Sequence, residues 1–427
     1  MSKNLKKVVS LACTTILATS LFVGCGSKTN TAGDNKKEGA KTEKKVELAF
    51  WEQDNAEGQK AMDKVIAKFT QENPNIKINR SHYETEDLRK NYTNAAMSGK
   101  GPEIVFGPND NLGVFVTAGL IQPIDKFLGE DFMKEFDSKA LAAAKYQGAQ
   151  YMLPDRNGNE LLLIYNKKFV SEAPKTWEEL EQVGKKIQKD GKAQYVVAFN
   201  EVEPFFTVPF LKAFGGEVFD DTNAESPKPT LNTEAIKQWS QFLNRIHEEK
   251  VIPKEADYDV ALNLFKEGKA PFLINGPWCF GDLDKANIEY GILPIPSING
   301  KDCAAYSAVK GYTVSKEIND EKKEAVKKFI MFMNNKENQL VMVDGHKQLP
   351  TNLEAIKDPK ITDDPMIAQQ KPVLDKCIPM PIIPQMRAIW DAMKPAQQEI
   401  LAGKIKPEDV PAKMQKKAEE GIKALGF

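Results

Sequence analysis

Residues 46–78 read VELAFWEQDNAEGQKAMDKVIAKFTQENPNIKI and contain the clearest secondary-structure pattern of the chain. The first six residues, Val46–Trp51, alternate in polarity and are rich in β-forming side chains, which predicts a strand. Apolar side chains then recur at the spacing i, i+3, i+4, i+7, which predicts one buried helix face; they are Met62, Val65, Ile66 and Phe69. Asn73-Pro74 ends this helix, and Ile76–Ile78 predicts a second strand. A strand, a helix and a strand in succession indicate an α/β protein with a parallel sheet.

The same alternation continues along the chain, interrupted by turn-rich segments at 154–158 and 293–302. Further strands are predicted at 103–106, 161–165, 195–199, 271–274 and 304–314. Helices are predicted at 85–98, 112–118, 177–189, 204–214, 233–250, 257–267, 320–334, 337–343, 384–402 and 407–424. Because 427 residues exceed what one hydrophobic core usually serves, we expect two domains.

The N-terminus has the pattern of a secretory signal peptide. Residues 1–24 contain a basic start (Lys3, Lys6 and Lys7), an apolar stretch from Val8 to Val23 and a small residue at the end. This apolar stretch is too short for a comfortable transmembrane helix. Leu21–Cys25 resembles a bacterial lipoprotein box, in which Cys25 becomes the lipidated first residue of the mature protein. The alternative is an ordinary signal peptide in which Cys25 has no role.

Residues 25–45 are predicted to be a lipid anchor followed by a flexible tether, because 26–45 contain no large apolar residue. Two or more acyl groups on Cys25 would hold the protein at a lipid bilayer, since a single chain binds only marginally. We therefore expect the mature protein at the extracytoplasmic face of the cell membrane, on the outer face of a bacterial plasma membrane. The loss of residues 1–24 removes three lysines and leaves 56 basic against 60 acidic side chains, a formal net charge of −4.

Composition excludes several classes of protein. The chain is 41% hydrophobic and 28% charged, unlike a disordered chain, and its net charge of −1 argues against a nucleic-acid partner. Cys279, Cys303 and Cys377 are too few for a disulfide framework; they are either one pair with an odd thiol or three buried free thiols, and we favour the second interpretation. The histidines and cysteines do not have zinc-ligand spacing, so no metal and no cofactor is predicted.

Catalytic motifs are absent from the sequence. There is no G-x-G-x-x-G, no P-loop, no G-x-S-x-G and no H-E-x-x-H, so no catalytic residue is predicted. Asp155–Asn159 faintly resembles the start of a calcium loop but lacks the glycine and glutamate that such a loop needs. A pair of glycosidase carboxylates among 60 acidic residues stays open as the alternative for an enzyme.

Aromatic residues beside predicted turns point instead to a carbohydrate. Trp51 ends the first strand and precedes Glu52–Asp54, at the carboxyl end of a strand, where open α/β sheets bind ligands. Phe205, Trp278 and Trp390 also lie next to turns or short polar side chains. Flat rings cover the apolar faces of a sugar, and carboxylates and amides bond its hydroxyls. The alternative for each ring is a place in the core, which is what we expect of a fifth aromatic residue, Trp177.

Several segments resemble the bacterial maltose/maltodextrin-binding family, the extracytoplasmic solute-binding proteins of ABC importers. They are Gly101–Gly113, Leu163–Lys167 with Pro174–Leu180, Glu203–Thr207, Ile274–Trp278, and Ile383–Met386 with Trp390. The likeness runs in order over most of residues 46–400. The resemblance implies a protein that is not an enzyme and that binds a sugar and delivers it to a membrane permease.

The resemblance also assigns ligand-binding residues. Asp110 takes the place of an aspartate that bonds sugar hydroxyls, and Glu203 that of a contact glutamate. Trp278 and Trp390 match two stacking tryptophans, and Phe205 replaces a stacking tyrosine.

Three positions depart from the pattern of the family. Gly107 replaces a loop tryptophan, Asn111 replaces an arginine, and Asn159, with Glu160 beside it, replaces a contact glutamate. The ligand is therefore expected to be a shorter sugar, a sugar with a different linkage, or a sugar other than maltose.

The implied architecture is a two-lobe, type II periplasmic-binding-protein fold, in which each lobe is a mostly parallel sheet flanked by helices. The N-terminal lobe would comprise 46–157 and 311–359, and the C-terminal lobe 162–304 and 366–427. Hinge segments would lie at 158–161, 305–310 and 360–365. The lobes of a monomer would close on a malto-oligosaccharide or related sugar. Another oligosaccharide, a secreted glycoside hydrolase and a surface adhesin lipoprotein are the alternatives.

Overall fold

The computed structural model describes residues 45–222 and 226–426. The strands are β1 (Val46–Glu52), β2 (Ile76–His82), β3 (Ile104–Pro108), β4 (Lys145–Tyr146), β5 (Ala149–Gln150), β6 (Met152–Gly158), β7 (Leu162–Asn166), β8 (Val197–Ala198), β9 (Phe272–Asn275), β10 (Tyr290–Leu293), β11 (Tyr306–Val314), β12 (Leu349–Pro350) and β13 (Ile378–Pro379). The predicted signal peptide, Cys25 and most of the predicted tether lie outside the described residues.

Helices are the more frequent elements. They are α1 (Ala56–Glu72), α2 (Thr85–Met97), α3 (Asn111–Thr117), α4 (Asp125–Leu128), α5 (Glu130–Met133), α6 (Ser138–Ala143), α7 (Trp177–Lys189), α8 (Val208–Ala213), α9 (Glu234–Glu248), α10 (Tyr258–Lys266), α11 (Phe280–Lys285), α12 (Asp320–Met333), α13 (Lys336–His346), α14 (Leu353–Ile356), α15 (Pro359–Thr362), α16 (Pro365–Leu374), α17 (Met386–Leu401) and α18 (Val410–Ala424). Pro204–Phe206 and Pro277–Cys279 form 3₁₀ helices. In the part of the chain that the structure describes, we find no helix with the length and apolar character to cross a bilayer.

The first sheet has the strand order β12-β6-β11-β3-β1-β2, and β13 pairs with β11. The predicted β1-α1-β2 unit is present, and β1 is parallel to β2 and to β3. However, β11 runs antiparallel to both β3 and β6, so the sheet is mixed rather than mostly parallel. The reason is that β6 takes the chain out of this sheet and β11 brings it back beside β6. Because the chain leaves and returns at the same edge of the sheet, these two neighbouring strands run in opposite directions.

The segment 154–158 is part of strand β6, although its composition predicts a turn. Pro154 lies opposite Gly311, and the register of β11 shifts between Lys310 and Gly311. A bulge of this kind accepts a proline, which cannot donate to the ladder. The polar side chains of Asp155 and Arg156 misled the prediction because they are buried and ion-paired rather than exposed.

The second sheet has the order β10-β7-β9-β8, and β7 is antiparallel to both of its neighbours. Alternate residues of β7 belong to different hydrophobic cores: Leu163 packs with Trp177 and Trp239, whereas Leu162 and Ile164 pack with Phe265 and Phe280. A strand covered on both faces explains the unbroken apolar run from 161 to 164. Both sheets belong to one compact unit that begins at Lys44.

The expected core position of Trp177 is confirmed, since its side chain is buried and its indole N–H donates to Glu181 Oε1 at 2.7 Å. Thr176 caps helix α7, as its sequence pattern predicts, by accepting from the Glu179 N–H at 3.2 Å. The described cysteines are free thiols. Cys279 and Cys303 are buried and Cys377 is half-buried.

Candidate ligand-binding site

The carboxyl end of β1 carries the first group of predicted ligand residues. Phe50 packs into the core on one face of the sheet, so Trp51 emerges on the other face, where it is half-buried. Its ring lies 4.7 Å from the ring of Tyr83, centroid to centroid. The two rings together form an aromatic surface at the end of the strand. Tyr83 was not a sequence prediction, because it follows β2 in a segment without a recognisable motif.

Glu52 and Asp54 have protein partners in this structure. The buried Glu52 carboxylate accepts from the Asp54 N–H and from Arg80 Nη1, both at 2.6 Å. Burial raises the pKa of Glu52 above its ordinary value. Asp54 pairs with Arg156 Nη1 at 2.9 Å, and Arg156 Nε also donates to Asp155 at 2.7 Å. Glu52 therefore joins the end of β1 to β2, and Asp54 joins the segment after β1 to β6.

Lys310 lies at the centre of the charged residues. It is buried on β11, and the nearby charges include those of Asp54, Glu52 and Asp110. Burial lowers its pKa to about 8, although these carboxylates oppose the shift. Its Nζ atom lies 5.6 Å from the centroid of the Trp278 ring. A charged residue from the first sheet thus meets a tryptophan from the second.

Trp278 is placed by the glycine-proline turn that follows β9. A Cβ atom on Gly276 would lie 2.0 Å from the Trp278 ring, so the indole can occupy this position only because residue 276 has no side chain. The ring is half-buried, whereas Pro277 and Cys279 on either side are buried. The Asn275–Trp278 segment therefore presents one indole at the carboxyl end of a strand.

Asp110 and Asn111 begin helix α3 at the end of β3. Arg89 Nη1 lies 3.5 Å from Asp110 Oδ2 and donates to Asn111 Oδ1 at 3.5 Å. A Cβ atom on Gly107 would lie 3.3 Å from Asn111 Nδ2 and 4.0 Å from Gln53 Cδ. The two amides therefore border the position at which the resemblance leads us to expect a tryptophan.

Helix α17 carries Trp390 and contacts the loop that carries Glu203. The half-buried Trp390 ring packs edge-on against Tyr306, with centroids 6.3 Å apart. One turn further on, Lys394 pairs with Glu203 at 2.5 Å. Gln397 Nε2, on the same helix, donates to the Glu201 carbonyl at 2.5 Å. Helix α17 thus holds the loop that carries Glu203 and, two residues later, the half-buried Phe205.

Strand β11 connects these two groups. Tyr306, which contacts Trp390, and Lys310, which contacts Trp278, lie on β11 four residues apart. They lie on the same face of the strand and are separated by about 13 Å. A single strand therefore passes both predicted stacking residues.

Asn159 and Glu160 lie at the crossing from β6 to β7. Asn159 is 9% exposed, with a positive φ of 50°. Glu160 is fully buried, and neither carboxylate oxygen has a hydrogen-bond partner among the described residues. Burial raises the pKa of Glu160 to about 7. The Glu160 charge acts on the Cys377 thiol, so the carboxyl lies beside the segment that leads into β13.

Several buried polar groups lie near these residues, and most of them were missed by the sequence prediction. Each has at least one side-chain atom without a hydrogen-bond partner in 45–222 and 226–426: Gln53, Asn109, Asn111, Arg156, Gln348 and Gln385. Of these, only Asn111 was predicted. A buried polar atom without a hydrogen-bond partner lowers the stability of the fold, and a sugar hydroxyl can supply such a partner. No local signal marked Arg156, which lies in a segment with turn-like composition, or Lys310, which lies in a β-like stretch where a lysine is ordinarily exposed.

Within the described ranges, no group of three or more His, Cys, Asp or Glu side chains is arranged to hold a metal ion. The region presents half-buried indoles together with buried amides and charged side chains. It suits recognition of a polar, uncharged molecule with apolar faces.

Comparison with known proteins identifies the family. Residues 64–369 match the family described as bacterial extracellular solute-binding protein. The chain belongs to this family. The extracytoplasmic binding class predicted from the sequence is thereby confirmed.

Named relatives of this solute-binding protein carry sugar-binding names. The maltotriose-binding protein of Pyrococcus abyssi (strain GE5 / Orsay) is 33% identical over 79% of this chain and 74% of its own. The galactooligosaccharide-binding protein of Bacillus subtilis (strain 168) is 26% identical over 94% of each chain. A maltooligosaccharide ABC transporter solute-binding lipoprotein of Streptococcus pneumoniae (strain ATCC BAA-255 / R6) is 26% identical over 92% of each.

A solved structure confirms the fold class. The maltose/maltodextrin-binding domain MalE from Bdellovibrio bacteriovorus bound to maltotriose matches with a TM-score of 0.84 and 36% identity, over 88% of this chain and 100% of that chain. This solute-binding protein therefore has the two-lobe fold of periplasmic binding proteins. Its sheets are mixed in strand direction, as described above.

Proposed function

We propose that this solute-binding protein captures a malto-oligosaccharide or a related sugar and delivers it to the permease of an ABC transporter. The observation that carries the proposal is the arrangement of Trp278 and Trp390 along one strand, with buried amides nearby that have at least one atom without a partner among the described residues. Indole rings cover the apolar faces of sugar rings, and the amides and charges bond their hydroxyls. The maltotriose-binding relative and the maltotriose-bound structural neighbour support this choice of ligand.

The proposed ligand contacts come from both sheets and from the crossing between them. They are Trp51, Glu52, Asp54, Asp110, Asn111, Asn159, Glu160, Glu203, Phe205, Trp278 and Trp390. Glu52 and Asp54 are the members with the strongest protein partners, and they act by holding Arg156 and the end of β1 in place. The half-buried indoles have surface left for a ligand, and the buried Asn111 Nδ2 atom has no hydrogen-bond partner among the described residues.

Binding would proceed by closure of two lobes. The lobes are 46–157 with 311–359 and 162–304 with 366–427, and the hinge segments are 158–161, 305–310 and 360–365. The paired antiparallel strands β6 and β11, which leave and re-enter the first sheet, support the first two hinges. A ligand shifts the open-closed equilibrium only by its differential affinity, which contacts with both lobes supply. The closed monomer would then dock on the permease.

The proposed anchor is Cys25, acylated after removal of residues 1–24. A relative that is named as a lipoprotein supports this assignment. Replacement of Cys25 by serine in the full chain is expected to move the protein from the membrane pellet to the supernatant of a bacterial expression host. The check is fractionation together with palmitate labelling, with C303S as the matched control. If C25S stays in the pellet and keeps its label, the anchor assignment fails.

The ligand proposal is tested by a sugar panel. The protein has five tryptophans, of which Trp51, Trp278 and Trp390 are half-buried and Trp177 and Trp239 are buried. Maltose, maltotriose, longer malto-oligosaccharides and galacto-oligosaccharides are titrated while the intrinsic fluorescence and the melting temperature are followed. We expect saturable changes, and a rise in melting temperature with ligand concentration. If none of these sugars changes either signal, the carbohydrate assignment is wrong.

The panel also separates the alternatives. Gly107 and Asn111, together with the galactooligosaccharide-binding relative, favour a sugar other than a maltodextrin as the second candidate. A glycoside hydrolase would release reducing ends during prolonged incubation with malto-oligosaccharides, which the binding proposal does not allow. An adhesin lipoprotein would give no saturable effect with any small sugar.

A further inference from the structure

The Asn55 side chain makes two hydrogen bonds, one to the first turn of α1 and one to the segment that follows β9 of the second sheet. It is the N-cap residue of α1, and its Oδ1 atom accepts from the Gly58 N–H at 2.8 Å. Its Nδ2 atom donates to the backbone carbonyl of Trp278. Asn55 follows β1 of the first sheet, whereas Trp278 follows β9 of the second. One amide thus caps a helix and joins the two sheets beside an indole proposed to stack on the ligand.

The neighbouring contacts show that the backbones come together closely here. Glu57, in the first turn of α1, pairs with Lys285 of α11 at 3.1 Å. A Cβ atom on Gly281 of α11 would lie 2.5 Å from the Gly345 carbonyl oxygen, and one on Gly345 of α13 would lie 2.6 Å from the Glu57 carbonyl oxygen. Glycines on both sides therefore allow α11 to approach α1 and α13. We call this set of contacts the α1–α11 junction.

We propose that Asn55 is a positioning residue for ligand binding: its amide fixes the backbone of Trp278 from the opposite sheet and stabilises the arrangement in which both sheets surround the ligand. This inference rests on the proposed sugar-binding function. It adds a residue to which the sequence pattern and the resemblance gave no role in the site. Glu57 and Lys285 support the same junction through an ion pair that is partly exposed to solvent.

The α1–α11 junction contributes free energy to the closed arrangement only. A contact between the two sheets that breaks when the lobes separate stabilises the closed form and leaves the open form unchanged, so it strengthens ligand binding by shifting the equilibrium. In the proposed cycle of closure the junction forms as the lobes close around the sugar and breaks as they open, so its loss accelerates dissociation more than it slows association.

The test separates the two roles of the side chain. Aspartate and serine are N-cap residues as good as asparagine, but neither has an amide that can donate as Asn55 Nδ2 does. N55D and N55S are therefore expected to melt within a degree or two of the wild type in the absence of sugar. Each is expected to raise the Kd for maltotriose about ten-fold, an increase that corresponds to the loss of one buried hydrogen bond. Stopped-flow fluorescence should assign the change to the dissociation rate.

A matched pair of lysines tests the junction independently. Lys60 and Lys285 both pair with the Glu57 carboxylate, but Lys60 lies on the same helix and Lys285 on the other side of the junction. K285M is expected to raise the Kd two- to three-fold at low salt, with the difference disappearing at high salt. K60M is expected to leave the Kd unchanged.

The outcomes distinguish this inference from the function on which it rests. The wild-type titration alone decides whether the protein binds maltotriose, and failure there overturns both proposals. If the wild type binds and N55D and N55S bind equally well with unchanged dissociation rates, Asn55 is only a helix cap and the inference is wrong. Equal effects of K60M and K285M would likewise show that the junction has no role in binding.

Discussion

Replacement of Trp278 by alanine is expected to raise the Kd for maltotriose about sixty-fold. One face of an indole covers roughly 100 Å² of apolar surface, which corresponds to about 2.5 kcal/mol of binding free energy. Trp278 is half-buried in the folded protein, so most of this loss should appear in binding rather than in folding. The measurement is isothermal titration calorimetry with maltotriose, accompanied by melting curves of both proteins without sugar.

A conservative variant provides the control for this prediction. W278F keeps a flat ring above Gly276 and opposite Lys310, so it should recover most of the affinity lost in W278A. A structural role alone would lower the melting temperature of W278A and leave the affinity of the folded fraction unchanged. Wild-type affinity in W278A would remove Trp278 from the site.

The second large effect concerns the pH dependence of stability. Burial raises the pKa of Glu160 to about 7, whereas the unfolded chain titrates near its ordinary value of 4.5. Between these two values the folded state binds more protons than the unfolded state, so the free energy of unfolding falls as the pH rises. Above pH 7 the penalty is complete, and it amounts to about 3 kcal/mol.

E160Q removes the ionisable group and keeps a side chain of nearly the same shape. Urea unfolding of the wild type and E160Q at pH 5 and pH 8 measures the effect. We expect E160Q to be the more stable protein by about 3 kcal/mol at pH 8, and the difference to shrink toward pH 5 as Glu160 becomes protonated in the wild type. E420Q is the control, since Glu420 is exposed on α18 and should show no such dependence. A pH-independent difference between E160Q and the wild type would contradict the prediction.

The fold could be predicted because its helices and strands have strong local patterns. The spacing from Met62 to Phe69 defines α1, and the apolar run 161–164 defines the covered strand β7. Strand β6 was missed because its polar side chains predict a turn, and the neighbouring sequence does not show that these side chains are buried. Arg156 can be buried because two carboxylates balance its charge, and one of them, Asp54, lies about a hundred positions earlier in the chain.

Candidate site residues could be proposed from the sequence where their side chains suit a sugar. Trp278, Trp390 and Asp110 are side chains of this kind, and the resemblance to a family assigned them. Lys310 was not predictable, because a lysine in a strand reads as an exposed residue. Only the folded chain places its ammonium group beside the Trp278 ring. Asn55 has the sequence pattern of a helix cap, and its second contact depends on the other sheet.

Both indoles belong to the proposed C-terminal lobe, Trp278 on the loop after β9 and Trp390 on α17, so bending at the hinge segment 305–310 leaves the interval between them unchanged. Strand β11 contacts both rings, through Lys310 and Tyr306, but carries neither of them. Engineering the preferred chain length of the sugar would therefore have to act on the loop after β9 and on helix α17, which carry the rings. Substitutions within β11 would change how firmly each ring is held and leave the interval itself as it is.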